Sequence, residues 1–257
     1  LWTWVNMLYL ISLGLYDQKD MSVKALETAR KCDKLYLELY TTRMNTDADR
    51  LTNFIGKYVK QLTREETENC ETIIKEAKTK VVGILVGGDA LVATTHTSIM
   101  LDAKKAGVDV HVIHGSSIYS AIGETGLQLY KFGKTTTLTY HEKNYKPTSF
   151  YETIQGNKKS GMHTLVLLDI KSDQNRYMTI REGLELLLET EKEKKLGIIS
   201  QNAYVIAVSQ LGGDQHIRYG KVKDLMKAKL LENTPAVLVI PGDLHFMEKE
   251  FLEDLYM

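Results

Sequence analysis

The sequence predicts a two-domain α/β protein, with a parallel-sheet N-terminal half and a mixed-sheet C-terminal half. Three observations lead there. The chain has 257 residues, and at ~100 to 200 residues per domain it suits two modest domains or one large α/β domain. In the first half, short β-rich apolar runs alternate with helical patterns, as expected of parallel strands joined by covering helices. After His114 there are more strands per helix. That change suits a mixed sheet and places a domain junction near residues 114 to 117, so domains are expected over 7–114 and 115–257.

In the first half, MLYLISL (7 to 13), KLYLELY (34 to 40), VVGILV (81 to 86) and VDVHVI (108 to 113) read as strands. MSVKALETARKC (21 to 32) and TTHTSIMLDAKKAG (94 to 107) read as helices, with Ser22 capping the first and Ala25, Leu26 and Ala29 forming its apolar face. From Thr41 to Lys80 the chain is more polar. There ADRLTNFIGKYVKQL and REETENCETIIKEAK are predicted as helices in an excursion near the mouth of a site. In the second half, TTTLTY (135 to 140), HTLVLLDI (163 to 170), AYVIAVSQL (203 to 211), HIRYG (216 to 220) and AVLVI (236 to 240) read as strands. Helices are expected near 179 to 190, 222 to 229 and 245 to 254. The lysine-rich KNYKP, NKKSG and EKEKKLG are expected between elements, as solvated loops.

Lys plus Arg and Asp plus Glu each number 33, so there is no cationic bias of the kind that drives direct, sequence-independent binding of nucleic acid. Cys32 and Cys70 are too few for a disulfide framework and lack zinc-site spacing, which favours a reducing compartment. The uncharged start, LWTWVNMLYLISLGLY, has neither a basic leader nor a small-residue cleavage site, and is read as leading into a strand. Met7 is the expected natural start, and residues 1 to 6 are expected to be an added extension. Elsewhere no apolar run approaches the ~18 residues that span a bilayer. The expectation is a soluble, cytoplasmic protein with no membrane partner.

Chemistry is most legible at GGDALVATTH, residues 87 to 96. In an open parallel sheet ligands collect beyond the carboxyl ends of strands, and Gly87-Gly88-Asp89 directly follows VVGILV. Glycines let a ligand approach the backbone, and Asp89 offers a carboxylate to hydroxyl or ammonium groups. The alternative is a turn in which Asp89 or Thr94 caps the next helix. On local pattern the two stand even. There is no G-x-x-x-x-G-K-[ST] phosphate loop, and SLGLYD (12 to 17) has one glycine where a dinucleotide fingerprint needs three. The histidines have no paired spacing suited to a metal, and His111 and His114 would lie on opposite faces of a strand. His96 is the one histidine to test for assisting an acceptor, against packing on the helix surface. Ser116 and Ser117 lack a His-acid arrangement for acyl transfer.

MLYLISLGLYDQKDMSVKALETARKCDKLYLELYT, LVGGDALVATTHTSIMLDAKKAG, VIHGSSIYSAIGETGLQLYKFGKTTT and GMHTLVLLDIK, in this order, closely resemble the diphthine synthase family of the tetrapyrrole-methylase fold. The resemblance continues through RYM (176 to 178), QLGGD and PGDLHFME (241 to 248), and GLQLYKFG and GMHTLVLLDIK are its most specific stretches. It implies a homodimeric methyltransferase that uses S-adenosylmethionine, releases S-adenosylhomocysteine, needs no metal and holds its cofactor in the cleft between two α/β domains. Carried over by position, the cofactor contacts would be Leu15, Asp89, Val92, Ser117, Ile118, Leu168, Leu211 and Val237. The apolar members could sandwich adenine and the methionine chain. No catalytic residue is assigned. Two departures stand out. The family's GLGLGD is SLGLYD here, bringing Ser12 and a Tyr16 that could narrow the site, and its GGDP is GGDA, where Ala90 lacks proline's fixed φ and implies a more mobile loop.

The acceptor the resemblance implies is the modified histidine of translation elongation factor two, which carries an amine and a carboxylate. An α-amino pKa of ~7.7 to 8.0 leaves on the order of a tenth to a third of the amine neutral at neutral or slightly alkaline pH, so no strong base is needed. Holding the nucleophile in line with a sulfonium methyl and excluding water should dominate the rate. Three transfers fill the nitrogen. Eukaryotic members, which this chain is read as resembling more closely, add a fourth to the carboxylate. The other readings are a methyltransferase of a tetrapyrrole or other small molecule, and an inactive cofactor-binding regulator. Lys143, Lys146, Lys158 and Lys159 are possible contacts for an acidic partner.

Overall fold

A computed structural model of the chain describes residues 6–40, 42–143 and 145–257, with the backbone alone at 230 and 231. The expected extension at residues 1 to 6 therefore lies outside the described residues, apart from Asn6. The chain divides into two compact units: one runs through Tyr119 and includes Lys171–Asn175, and the other comprises Ser120–Ile170 and Arg176–Met257.

The first unit contains β1 (Met7–Ser12), α1 (Val23–Lys31), β2 (Lys34–Glu38), α2 (Ala48–Ile55), β3 (Val59–Gln61), α3 (Arg64–Glu68), α4 (Glu71–Ala77), β4 (Val81–Val86), α5 (Thr97–Lys105) and β5 (Asp109–Ile113). The strands form one sheet in the order β3-β2-β4-β1-β5, parallel throughout. Met7, Tyr9 and Ile11 pack with Ala25, Ala29, Leu51 and Ile55 of α1 and α2. Leu8 and Leu10 pack with Ile73, Ile74, Ile99 and Ala103 of α4 and α5. Alternate residues of one strand thus serve opposite faces, so every residue of β1 and β4 is buried and both read as unbroken apolar runs. Ser22 caps α1 as expected, its Oγ accepting from the Ala25 N–H at 3.0 Å.

The order of strands creates a site. β4 lies between β1 and β2, and β1 lies between β4 and β5. The connection leaving β1 therefore departs in the opposite direction to the connection leaving β4. Their neighbouring carboxyl ends form the topological switch point at which open α/β sheets gather ligands.

The polar segment corrects two expected helices. ADRLTNFIGKYVKQL is helical only to Ile55. Gly56, left-handed at φ 80°, ends the helix and Val59–Gln61 becomes an edge strand beside β2. REETENCETIIKEAK is two helices. The Asn69 side chain accepts from the Glu71 N–H at 3.2 Å, offering the backbone a partner that a continuous helix would not use.

After α6 (Ile118–Ala121), the second unit contains β6 (Thr136–Leu138), α7 (Ser149–Lys159), β7 (Thr164–Leu168), the short β8 (Ile170–Lys171) and β9 (Arg176–Tyr177), α8 (Ile180–Lys194), β10 (Tyr204–Ser209), β11 (His216–Lys221), α9 (Val222–Leu225), β12 (Ala236–Ile240) and α10 (Phe246–Tyr256). Its main sheet runs β11-β10-β12-β7-β6, parallel only between β6 and β7, and is therefore mixed. Phe150, Tyr151 and Ile154 of α7 and Leu184 and Leu187 of α8 pack on Val166, Leu168 and Leu238. The lysine-rich runs are not all loops: Lys158 and Lys159 belong to α7, and α8 extends through Lys194. Near 222 to 229 only Val222–Leu225 is α-helical. Cys32 and Cys70 are buried and free. Among the described residues no helix is long and apolar enough to cross a membrane.

A buried carboxylate locks this unit. Glu248 Oε1 accepts from the Gln128 N–H at 2.9 Å and His163 Nε2 at 3.1 Å, and Oε2 accepts from Lys131 Nζ at 2.5 Å and the His245 N–H at 2.8 Å. His163 Nδ1 accepts from the Gly242 N–H at 3.0 Å, which places the ring proton on Nε2 and leaves the imidazole neutral. Burial raises the Glu248 carboxyl, but the four donors outweigh it and hold the pKa at about 2. Replacing Glu248 with alanine leaves Lys131 and His163 without their partner. We expect a loss of about 3–5 kcal/mol in chemical denaturation. In the parent protein, the contribution of Glu248 is complete above its ordinary 4.5 and is lost as pH falls towards 2, so an acid denaturation series should show the parent converging on the Glu248→Ala variant.

Candidate functional site

The carboxyl ends of β4, β1 and β5 meet at the switch point. Past the parallel pairing of β1 with β4 the Leu13 N–H donates to Val86 O at 2.8 Å, and Gly14 and Gly88 form an isolated antiparallel bridge, the Gly14 N–H donating to Gly88 O at 3.2 Å and the Gly88 N–H to Gly14 O at 2.8 Å. Both glycines have positive φ, 89° and 69°, where a side chain is strained. A Cβ on Gly14 would lie 2.4 Å from that of Asp20, whereas one on Gly88 would meet nothing within 4 Å. Gly88 therefore presents bare backbone to open space. Gly87 is walled by Thr42 and Met44, so the polar segment does begin beside this turn.

Asp89 is buried and committed to the chain itself. Its Oδ1 accepts from the Leu91 N–H at 3.0 Å, while Oδ2 accepts from the Gly115 N–H at 3.1 Å and meets His114 Nδ1 at 2.9 Å. Burial pushes the carboxyl up, but these donors outweigh it and keep the pKa below the ordinary 3.8. Asp89 thus clasps the loop after β4 to the loop after β5. Neither it nor Thr94 caps α5, whose N-cap, His96, makes no capping bond. Thr94 Oγ1 instead donates to Ala90 O at 3.0 Å.

Ala90 is fully buried and its N–H donates to Ser12 Oγ, also fully buried, at 3.0 Å. This bond opposes the loop mobility expected from alanine in place of proline. The serine at the end of β1 accepts an N–H that proline would not have.

Leu15, Val92 and Ile118 are half-buried, with Ser117 buried beside them, and all four lie on the loops leaving β1, β4 and β5. The second unit holds Leu168, Leu211 and Val237, all buried. Leu168 sits in the core beneath α8, 2.8 Å from where a Cβ on Gly183 would be. Ala236, Leu238 and Ile240 join that same core, so the intervening Val237 points to the other face of the sheet. The side chains of Leu168 and Val237 are therefore not brought together.

His96 is not on the helix surface. It is 2% exposed, with Nδ1 3.0 Å from Ala90 O and Nε2 3.4 Å from Oε2 of the equally buried Glu38. Lys158 is not free for an acidic partner, since its Nζ donates to Ile198 O at 2.9 Å. Among the described residues no cluster of His, Cys, Asp and Glu could hold a metal. Sequence reading overlooked Ser12 as an acceptor, Glu38, and His114 as a partner of Asp89. Only Glu38 left a signal, a lone acid closing the apolar strand KLYLE.

Residues 7–239 match the family model of the tetrapyrrole (corrin/porphyrin) methylases. The diphthine synthase of Methanocaldococcus jannaschii is 45% identical over 254 residues, covering 97% of this chain and 98% of that protein. A crystal structure from Entamoeba histolytica, provisionally named a diphthine synthase, superposes with a TM-score of 0.91 at 41% identity, covering 98% and 99% of the two chains. A second crystal structure of a diphthine synthase gives a TM-score of 0.88 at 34% identity, covering 97% and 96%.

The clasp and the Ser12 bond make separable predictions. Ser12→Ala orphans a buried N–H and should cost about 1–3 kcal/mol in denaturation; an unchanged midpoint would show that the Ala90 amide finds another partner. Asp89→Ala should weaken cofactor binding in calorimetry, and unchanged affinity in a folded variant would remove Asp89 from the site.

Proposed function

Because the chain belongs to the tetrapyrrole (corrin/porphyrin) methylases and, among them, to the diphthine synthases, we propose that it methylates the modified histidine of translation elongation factor two. S-adenosylmethionine is the methyl donor. The observation that carries this reading is the switch point, where bare backbone at Gly88 faces open space between loops bearing half-buried Leu15, Val92 and Ile118. Such a surface fits a flat nucleoside and a short apolar chain. Nothing in it resembles a phosphate cradle, as befits a ligand without phosphate.

When bound, the cofactor supplies an electrophilic methyl on sulfonium. The protein's own part is positional. Asp89, Ser12 and the paired Gly14 and Gly88 hold three loops fixed, so Ser117 and the apolar trio can orient the donor without reorganising. For Leu168, Leu211 and Val237 of the second unit the cofactor role rests on family position alone, and the Leu168 side chain is in that unit's own core. The amine is methylated three times, losing a proton at each of the first two transfers, and the carboxylate accepts a fourth methyl. A cytoplasmic homodimer is part of this reading; the free, buried thiols of Cys32 and Cys70 support a reducing compartment. The high identity to diphthine synthases over the full length disfavours a tetrapyrrole or other small-molecule acceptor.

Incubation with S-adenosylmethionine and elongation factor two bearing the unmethylated precursor should add four methyl masses to the modified peptide. Three would confine the chemistry to nitrogen. Cofactor binding without any transfer would instead favour an inactive regulator.

A further inference from the structure

The ring of His96 lies between two acceptors. Nδ1 faces the Ala90 carbonyl oxygen at 3.0 Å, and Thr94 Oγ1 donates to that same oxygen. Nε2 faces Glu38 Oε2 at 3.4 Å, a contact of opposite charges with no well-aligned hydrogen bond. Glu38 ends β2 at the register position of Val86, so the pair sits directly beneath the turn that follows β4. A carbonyl and a carboxylate can only accept. A neutral imidazole has one N–H and must turn a lone pair towards one of them, whereas an imidazolium satisfies both. Burial pulls the ring's pKa down, but Glu38 and the Ala90 carbonyl outweigh it and bring it above 6.5. Cys70, before α4, is a titratable group on which Glu38 also acts, together with Asp102 on α5. The Cys70 thiol, pushed to about 11 by burial first and then by Glu38 and Asp102, stays neutral. Asp102 is exposed and paired with Lys105 at 3.1 Å.

We propose that His96, charged by Glu38, is a positioning residue for the cofactor, its Nδ1–H fixing the Ala90 carbonyl and with it the Gly88–Asp89 backbone. This rests on the switch point being the S-adenosylmethionine site. His96 does not touch the acceptor; the ring is enclosed, with Nδ1 against the Ala90 carbonyl and Nε2 facing Glu38. With a folded-state pKa above 6.5, its hold is complete in mild acid and is lost as pH rises through that higher value. Glu38→Gln should uncouple the two. A glutamine amide can donate to Nε2, leaving the neutral ring with its proton on Nδ1 and the bond to Ala90 intact at every pH.

The test pairs NMR titration of the His96 ring in the cofactor-free protein, from pH about 5.5 to about 8.5, with calorimetry of S-adenosylmethionine over the same range. In the parent protein the ring should titrate above 6.5, and affinity should weaken as it deprotonates. In Glu38→Gln the ring should titrate lower and that loss should vanish. His96→Asn, whose amide nitrogen stands where Nδ1 does, should also bind without the loss. A parent ring titrating at or below 6.5, or the same loss in parent and variants, would overturn the proposal. The parent titration decides even if neither variant folds. Absence of S-adenosylmethionine binding at any pH would remove the cofactor reading and this proposal with it, whereas pH-independent binding by the parent would remove this proposal alone.

Discussion

The carboxylate of Asp89 is the constraint on which the site depends. A parallel sheet cannot tie its strand ends with hairpins, and at a switch point the chain leaves neighbouring strands in opposite directions. Asp89 supplies a cross-tie between the loops after β4 and β5. Asp89 reaches the Leu91 and Gly115 amides and the His114 ring from one buried position. Bonds to an ionised acceptor are stronger than neutral ones, more so away from water. The same residue that invites assignment as a ligand contact is therefore first a fastening between two loops.

Ala90 shows how the fastening extends. Its amide and carbonyl are both engaged, by Ser12 on one side and by Thr94 and His96 on the other. The related sequences that carry proline here restrict the turn covalently. This chain restricts it by hydrogen bonds, with the acceptor placed where those relatives have glycine. The two departures lie 78 positions apart in sequence and form one contact, so a change at either site acts on both.

Much of this was legible in the sequence. All nine predicted strands are present because burial on both faces, or on one, leaves continuous or alternating apolar patterns. The edge strand Val59–Gln61 was missed because it is short, mostly exposed and runs on from a helical pattern. The helix Ser149–Lys159 was missed because Asn157 occupies a core position, satisfied by Lys134 and Thr164, and so breaks the apolar periodicity. At the site, the Gly-Gly-Asp turn is visible locally. Two of the three partners of Asp89 lie 25 and 26 residues away and are brought in by strand order, which no spacing rule records.

Glu248 carries a consequence for the order of events during synthesis. Its partners His163 and Lys131 precede it by 85 and 117 residues. At ~5–20 residues per second, the ribosome needs on the order of 4–17 seconds after His163 to make Glu248. Throughout that interval the second unit lacks the carboxylate that its half-buried lysine and buried histidine meet, while strands β1 to β5 of the first unit have already been made. The bonds that Glu248 makes to Lys131 and His163 therefore form only once the start of the helix that begins at Phe246 has been made.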